Sequence, residues 1–407
     1  MQVGQWQNIR TGLPLFRLVT KLLLMHLAVN AYFWNRPNSG SGQYTRSLVT
    51  TLRQMVSDLQ ITLIYPQVAG DAGLQDVPSG VKVFPAPTRP GYLGKVWFEQ
   101  WGFPGACTAV HADIAHIPYW GGPLRSPIPQ VVTVHDLTTM LVPEYRRKAG
   151  ARLYNALVAA SARGADHIIT DSHASKEEIV MHLHIPVEKV SPIHLAVTAV
   201  YRPQPNSLLD MAVLRKYDLP DFYVLYLGGY ELHKNVTTLL LAWTYVGQAL
   251  GDEYPLILAG KKPESISDSY PDYDGYIQKL GISDYVRWIG YVDEGDKPSL
   301  YRNAETFVFP SRREGFGLPV LEALACGTPV VTTSATSLPE VVGEAGFAVD
   351  PDDARGMAGA IIATIVQDDL AKELRATAVT QAAKFSWADT AVQTLHVYDK
   401  VFNRSRR

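Results

Sequence analysis

The chain reads as two doubly wound α/β domains. Short apolar runs of strand length alternate with stretches of helical periodicity, and the alternation restarts after a segment rich in proline and charge. Length agrees: 407 residues, 47% apolar and 19% charged, can bury two ordinary cores, and one domain would be unusually large.

The first strand is expected in HLAVNAYF, from His26. A polar loop carrying Gly40 and Gly42, NRPNSGSGQYTR, follows, and then a helix with Leu48, Leu52, Met55, Val56 and Leu59 on one face. Val81–Phe84 and Ile114–Ile117 read as further strands. VVTVHDL places His135 and Asp136 just after another, and HIITDS supplies one more before Ser172. Such βα alternation predicts a parallel sheet with ligands near the carboxyl ends of its strands. This first domain is expected over 25–198 and a linker over 199–220.

FYVLYLGGY, PLILAG, VRWIG, TFVFP, TPVVTTS and GFAV then predict six strands of a second domain, 221–383, with helices such as Thr237–Leu250 and Ser299–Ala304 between them. SWADTAVQTLHVYDKVF, from Ser386, predicts a last helix within 384–407. Two such domains make a cleft, whose closure would exclude water.

Composition excludes several classes. A formal net charge of −2 argues against a general polyanion binder, so nucleic acid is not an expected partner. Cys107 and Cys326 have neither metal spacing nor a disulfide framework and read as packing residues. Leu13–Val29 is interrupted by Arg17, Lys21 and His26 and lacks a small-residue cleavage site, which favours a cytoplasmic chain.

The richest segment runs from Phe307 to Gly343, FVFPSRREGFGLPVLEALACGTPVVTTSATSLPEVVG, and reads as strand, glycine loop, helix, turn and strand. The Gly315-Phe316-Gly317 turn lets backbone approach a ligand, and Pro319 fits the first helical position. Free amides of that first turn suit an anion or several hydroxyls. Glu314 sits at the helix mouth and Glu322 about one turn in, an arrangement suited to a sugar on a nucleoside diphosphate. In the plainer reading Glu322 caps neighbouring amides or faces solvent.

EGFGLPVLEALACGTPVV resembles the signature of retaining glycosyltransferases of family 4, which have the GT-B fold and carry the two glutamates as an E-x7-E pair. The resemblance runs from about Met25 to the C-terminus. Residues 1–24 match no family element and read as an N-terminal extension or as the product of an over-extended start, with Met25 as the alternative beginning. It implies that Glu314 lies by the donor sugar, that Glu322 binds the donor ribose, and that the backbone of Gly315, Phe316, Gly317 and Leu318 contributes to the donor site. In the GT-B fold the last helix commonly returns to the first domain.

Other residues acquire roles beside that resemblance. The loop of Gly40 and Gly42 lacks the Lys and Ser/Thr of a P-loop and is weak alone, yet it resembles the family's N-terminal loop, which approaches the donor phosphates. His135, in a VHDL pattern that relatives place beside the sugar, competes with a structural histidine; Asp136 reads as holding the loop and forms no Asp-x-Asp metal motif. Lys234 is the cation expected to meet the leaving diphosphate. Many relatives have arginine where this chain has His233, and neutral imidazole cannot reproduce a guanidinium fork. Lys261 reads equally as nucleotide neighbour and surface lysine. WIGYVDEGD, from Trp288, resembles the segment that recognises the base through backbone groups.

Tyr92, Trp97, Phe98, Trp101, Phe103 and the segment HIPYWGGPL resemble the acceptor region of bacterial mannosyltransferase-like members, with core packing as the competing reading. YRRKAGAR, Tyr145–Arg152, adds a basic patch suited to an anionic acceptor or a peripheral membrane contact, or simply a solvated helix.

The expectation is therefore a hexosyltransferase acting with retention by same-face attack, with His135, Lys234 and Glu314 as catalytic residues and no resident metal. The co-substrate is a nucleotide sugar, GDP-mannose first and UDP-glucose or another UDP-sugar next, and the acceptor a saccharide or lipid-linked saccharide. A nucleotide-sugar epimerase or sugar phosphorylase would use the same fold. A nicotinamide dehydrogenase would need a Rossmann fingerprint that neither domain presents, and a non-catalytic sugar-binding scaffold would bind without turnover.

Overall fold

The computed structural model describes residues 25–68, 73–89, 91, 93–147 and 149–405, so the 1–24 extension, Tyr92 and Lys148 lie outside the described residues. The chain divides into two compact units: Met1–Met140, Arg146–Leu195 and Ser386–Arg407 form one, Leu141–Tyr145 and Ala196–Phe385 the other.

The first unit is built on β1 (His26–Asn30), β2 (Gln60–Gln67), β3 (Lys82–Pro87), β4 (Ile114–Ile117), β5 (Gln130–Thr133), β6 (His167–Thr170) and β7 (Val190–Pro192). These pair in parallel in the order β3-β2-β1-β4-β5-β6-β7, with Leu27 beside both Ile61 and Ile114. Continuous apolar runs are what a sheet covered on both faces demands. β1 is shorter than HLAVNAYF, because the chain turns after Asn30. The sequence reading had not picked out β2 or β7, which carry Pro66 and Pro192.

Gly40 and Gly42 are not in a loop. A helix already begins at Gly40 and runs to Met55, with the Oγ of Ser39 accepting from the Gly42 amide at 3.2 Å. A Cβ on Gly42 would lie 2.1 Å from the Arg36 carbonyl, so glycine is needed to pack the helix start against the preceding turn, whereas Gly40 faces open space. The helix Trp387–Ser405 belongs to this unit and packs on Gly40–Met55, burying Ala391, Leu395, Tyr398, Val401 and Phe402.

The second unit holds β8 (Val224–Leu227), β9 (Leu256–Ala259), β10 (Val286–Gly290), β11 (Thr306–Phe309), β12 (Val330–Thr333) and β13 (Gly346–Val349), again parallel, in the order β10-β9-β8-β11-β12-β13. Every strand but the two edges is fully buried. The stretch 199–220, expected as a linker, contains a helix, Ser207–Lys216, that packs on the helix Lys297–Asn303. Asp210 anchors it, accepting from Ser299 Oγ at 2.7 Å and pairing with Arg302.

Cys107 and Cys326 are buried and unbridged, in keeping with packing roles. Among the described residues no helix is long and apolar enough to cross a membrane.

Candidate functional site

In the second sheet the chain starts at β8, winds to β9 and β10 on one side, then crosses to β11 through β13 on the other. The loops after β8 and β11 thus leave neighbouring strand ends at the switch point, where open α/β sheets bind ligands. Gly260, after β9, has φ +131°, and a Cβ there would stand 2.2 Å from the Gly228 carbonyl. The loops after β8 and β9 touch backbone to backbone.

After β8 the chain makes a tight turn, Leu232–Lys234, and passes through Asn235 in the left-handed region, φ +58°, into the helix Val236–Leu250. The buried Asn235 amide donates to the carbonyls of Pro310 (3.0 Å) and Pro351 (2.7 Å), and its oxygen accepts from Thr238 Oγ1 (2.8 Å) and Arg312 Nε (3.0 Å). One side chain therefore fixes the loops after β8, β11 and β13 together. Sequence reasoning had missed it, since Asn beside a helix start reads as ordinary capping.

Fixed in this way, Lys234 Nζ stands 2.7 Å from Glu314 Oε1, with the two side chains only 18% and 14% exposed. The ammonium also lies 5.4 Å from the centroid of the Phe309 ring. The Glu314 amide donates to Thr336 Oγ1 at 3.0 Å, while Ser337 Oγ sits 3.0 Å from the Glu314 carbonyl and 2.9 Å from that of Phe316. Residues from the turn after β12 thereby shape the glycine loop. Gly317, φ +104°, caps the helix Leu318–Ala325, and Pro319 is its second residue rather than its first.

Glu322 neither faces solvent nor caps amides: it is buried, and its Oε2 accepts from Tyr301 Oη at 2.8 Å. Burial pushes its carboxyl up, while Lys297 and the hydroxyls of Tyr301 and Tyr201 pull it back. His233 points its Nδ1 at Tyr145 Oη, 2.7 Å away, rather than presenting a cation. A guanidinium stands nearby instead, on Arg312, whose amide donates to the His233 carbonyl at 2.8 Å and whose head pairs with Asp352 at 2.5 Å. Lys261 is exposed and paired with Glu264 at 2.7 Å, on the wall of a surface cavity of about 440 Å³ that also includes Glu231, Lys262 and Tyr270. Trp288 packs against Tyr230, ring centroids 4.8 Å apart, and Lys262 lies 4.8 Å over its ring; Tyr291 is exposed.

In the first unit His135 follows β5 and its Nδ1 lies 2.7 Å from Asp171 Oδ2, the residue after β6. The carboxylate can only accept, so Nδ1 carries the proton and Nε2 is the atom left for a ligand. That Nε2 is buried with no hydrogen-bond partner among the described residues. Burial pushes the imidazole down, but Asp171, and after it Asp136, outweigh burial and leave it raised. Asp136 Oδ1 accepts from the Thr138 amide at 2.7 Å, which holds the loop. Asp171 was not singled out from sequence; HIITDS gives no hint of which histidine it orients.

Of the expected acceptor aromatics, Phe98 and Phe103 are core residues, fully buried, while Trp101 is 62% exposed. Arg146, Arg147 and Arg152 of the basic cluster are exposed.

Two parallel, doubly wound sheets, one with an acid–base pair at the mouth of a helix carrying a second glutamate, define a GT-B glycosyltransferase architecture. Residues 38–199 match the family described as Glycosyltransferase Family 4, and residues 215–384 that described as Glycosyl transferases group 1. Over 270 residues, 66% of this chain and 69% of the relative, it is 36% identical to the O-antigen chain mannosyltransferase B of Escherichia coli. The chain belongs to glycosyltransferase family 4, and it is an enzyme that uses a nucleotide-sugar donor.

Solved structures share the fold. The sucrose-phosphate synthase of Thermosynechococcus elongatus superposes with a TM-score of 0.74 at 21% identity, covering 93% of this chain and 100% of that one. Anabaena HepE in complex with UDP does so with a TM-score of 0.69 at 18% identity, again over 93% and 100%.

Proposed function

We propose that the protein transfers a hexosyl group, with retention, from a nucleotide sugar to a hydroxyl of a saccharide or lipid-linked saccharide. The observation that carries this reading is the Lys234–Glu314 pair at the mouth of the helix bearing Glu322. Negative charge grows on the diphosphate as the glycosidic bond breaks, and a cation held in a half-buried site stabilises it better than one in water. Lys234 is that cation. Glu314 holds it in place before the donor arrives and supports the sugar ring as positive charge develops there. Amides at the start of the helix Leu318–Ala325 receive the phosphates, and Glu322 accepts from the ribose hydroxyls. In the first unit, His135 is oriented by Asp171 and keeps Nε2 as the ring atom left for a sugar hydroxyl.

For the donor we put a UDP-sugar first, because a structural neighbour over the whole fold, HepE, is in complex with UDP. This reverses the order expected from sequence. GDP-mannose stands second on one observation, the mannosyltransferase name of the relative that shares 36% identity. Peripheral membrane contact through the exposed arginines near residue 147 is part of the same reading.

Calorimetric titration of the full chain with UDP, GDP, ADP and their common sugar conjugates tests it. Selective binding of UDP-sugars is the expected result; selective GDP-mannose binding moves the donor to the second reading, and binding of none overturns the donor site.

A further inference from the structure

The helix Trp387–Ser405 carries a second surface besides the one that packs on Gly40–Met55. Gln393, His396, Lys400 and Arg404 recur every three or four residues and so form one stripe along it. Toward β7, the edge strand of the first sheet, this stripe and the residues Ser191, Pro192 and Ile193 enclose a cavity of about 270 Å³. Ile193 and Val397 are its buried apolar part, while Ser191, Gln393, His396 and Lys400 give it polar groups. Lys400 Nζ donates to the carbonyl of Glu188, just before β7, at 2.9 Å, and so reaches from the helix to the strand.

Three more cations stand around this ammonium. Lys189 leads into β7 with its Nζ 3.5 Å from the Ala165 carbonyl, Lys176 comes from the helix His173–Leu183, and Arg404 is exposed one turn beyond Lys400. None of these four heads pairs with a carboxylate among the described residues. Their joint field reaches His167, fully buried on β6: burial first, and then Lys400, Arg404, Lys176 and Lys189, hold it down at about 4. Burial, Arg404 and Lys176 also disfavour the charge on Lys400, and the Glu188 carboxylate favours it. Like charges gathered without counter-ions work against the fold, and a bound anion relieves them.

His167 adds a polar link to the cavity, since its Nε2 lies 2.8 Å from Ser191 Oγ. Nδ1 is buried with no partner among the described residues. An orphaned N–H there would be costly, so the ring hydrogen belongs on Nε2; Ser191 accepts it and keeps its own hydrogen for the cavity. Four cations against Glu188 favour a dianion over a monoanion. The space falls just short of ordinary ligand pockets, about 300–1,000 Å³, and suits a compact group rather than a nucleotide.

We propose that this cavity binds a phosphate group, with Lys400 as the central cation, Lys176, Lys189 and Arg404 as the surrounding field, and Ser191 and Gln393 as hydrogen-bond donors. The site lies in the first unit alone and does not depend on the transferase reading. The group arrives on a small soluble molecule or on a phospholipid head, two sources of one chemistry.

The test is calorimetric titration of the full chain with inorganic phosphate and glycerol 3-phosphate at low salt, beside sedimentation with phosphatidylcholine vesicles with and without phosphatidic acid. Soluble binding is expected, weakened by added salt and about 10-fold or more by Lys400→Gln. Lys234→Ala, in the second unit, should leave it unchanged. If Lys400→Gln does not melt cooperatively, Arg404→Gln, on an exposed side chain, replaces it with the same expectation. Sedimentation only with the phosphatidic acid vesicles, lost in the same variant, keeps the site and gives it to a lipid head. Soluble binding that vanishes in Lys234→Ala belongs to the donor site and overturns the proposal. So does the absence of both kinds of binding, or binding that the Lys400 and Arg404 variants leave unchanged.

Discussion

At the scale of single residues Lys234 and Glu322 carry separable consequences. Lys234→Ala removes the cation proposed to stand beside the leaving group, and turnover is expected to fall about 100- to 1000-fold, as when one transition-state donor is deleted. Steady-state kinetics with donor binding measured alongside checks it, and a normal kcat removes Lys234 from the reaction. Glu322→Ala is expected to weaken nucleotide binding about 10- to 100-fold, the range for hydrogen bonds to a charged group. It also leaves the buried Tyr301 hydroxyl without its acceptor, so the melting temperature should drop by a few degrees as well. The glutamates and Lys234 were legible because chain neighbours surround them in a short pattern of glycine, proline and charge. Asn235 and Asp171 were not: each matters through atoms 36 to 116 residues away, and no local spacing announces such a partner.

At the scale of elements, the loops after β8, β11 and β13 are one mechanical piece. Asn235→Ala strips donors from two carbonyls and should cost about 1–3 kcal/mol for each group left unpaired, read as a lower midpoint in urea. Turnover should fall with it, because Lys234 precedes Asn235 directly; an unchanged midpoint contradicts the knot. Gly317→Ala places a Cβ 2.8 Å from Leu338 Cδ2 at a φ of +104°, a conformation L-residues rarely adopt, and should tilt the start of the helix Leu318–Ala325. All six strands of the second sheet were readable as apolar runs, since parallel strands buried on both faces look alike everywhere. The helix at Gly40 was not. Two glycines in its first turn imitate a loop, and only Ser39 signals the cap that starts it.

At the scale of the whole molecule, the first unit is held by a buried polar chain. Tyr44 Oη meets Thr133 Oγ1 at 3.2 Å, His116 Nε2 meets the same oxygen at 2.9 Å, and Tyr398 Oη meets His116 Nδ1 at 2.6 Å. Burial pushes His116 down to about 3, and His167 down to about 4. An unfolded histidine titrates near 6.5, so below that pH the unfolded chain takes up protons that the fold refuses. Their contribution to stability is full above about pH 6.5 and declines as pH falls toward 3. Each refused proton amounts to about 1.4 kcal/mol per pH unit. His135, raised, acts in the opposite sense, its stabilisation present at low pH and lost as pH rises through its folded value. Urea unfolding between pH 7.5 and 5 should therefore show falling stability, and His116→Gln should flatten that slope; an identical slope would exonerate His116. The final bond of this chain spans 282 residues of sequence. A ribosome releases the strands of the first sheet long before it makes the helix that covers them, and Ala196–Phe385 of the second unit is synthesised in between. Contacts this distant in sequence close late and slowly. Until that helix emerges, then, the first unit waits with an uncovered apolar flank, and Trp387–Ser405 decides when it becomes a finished domain.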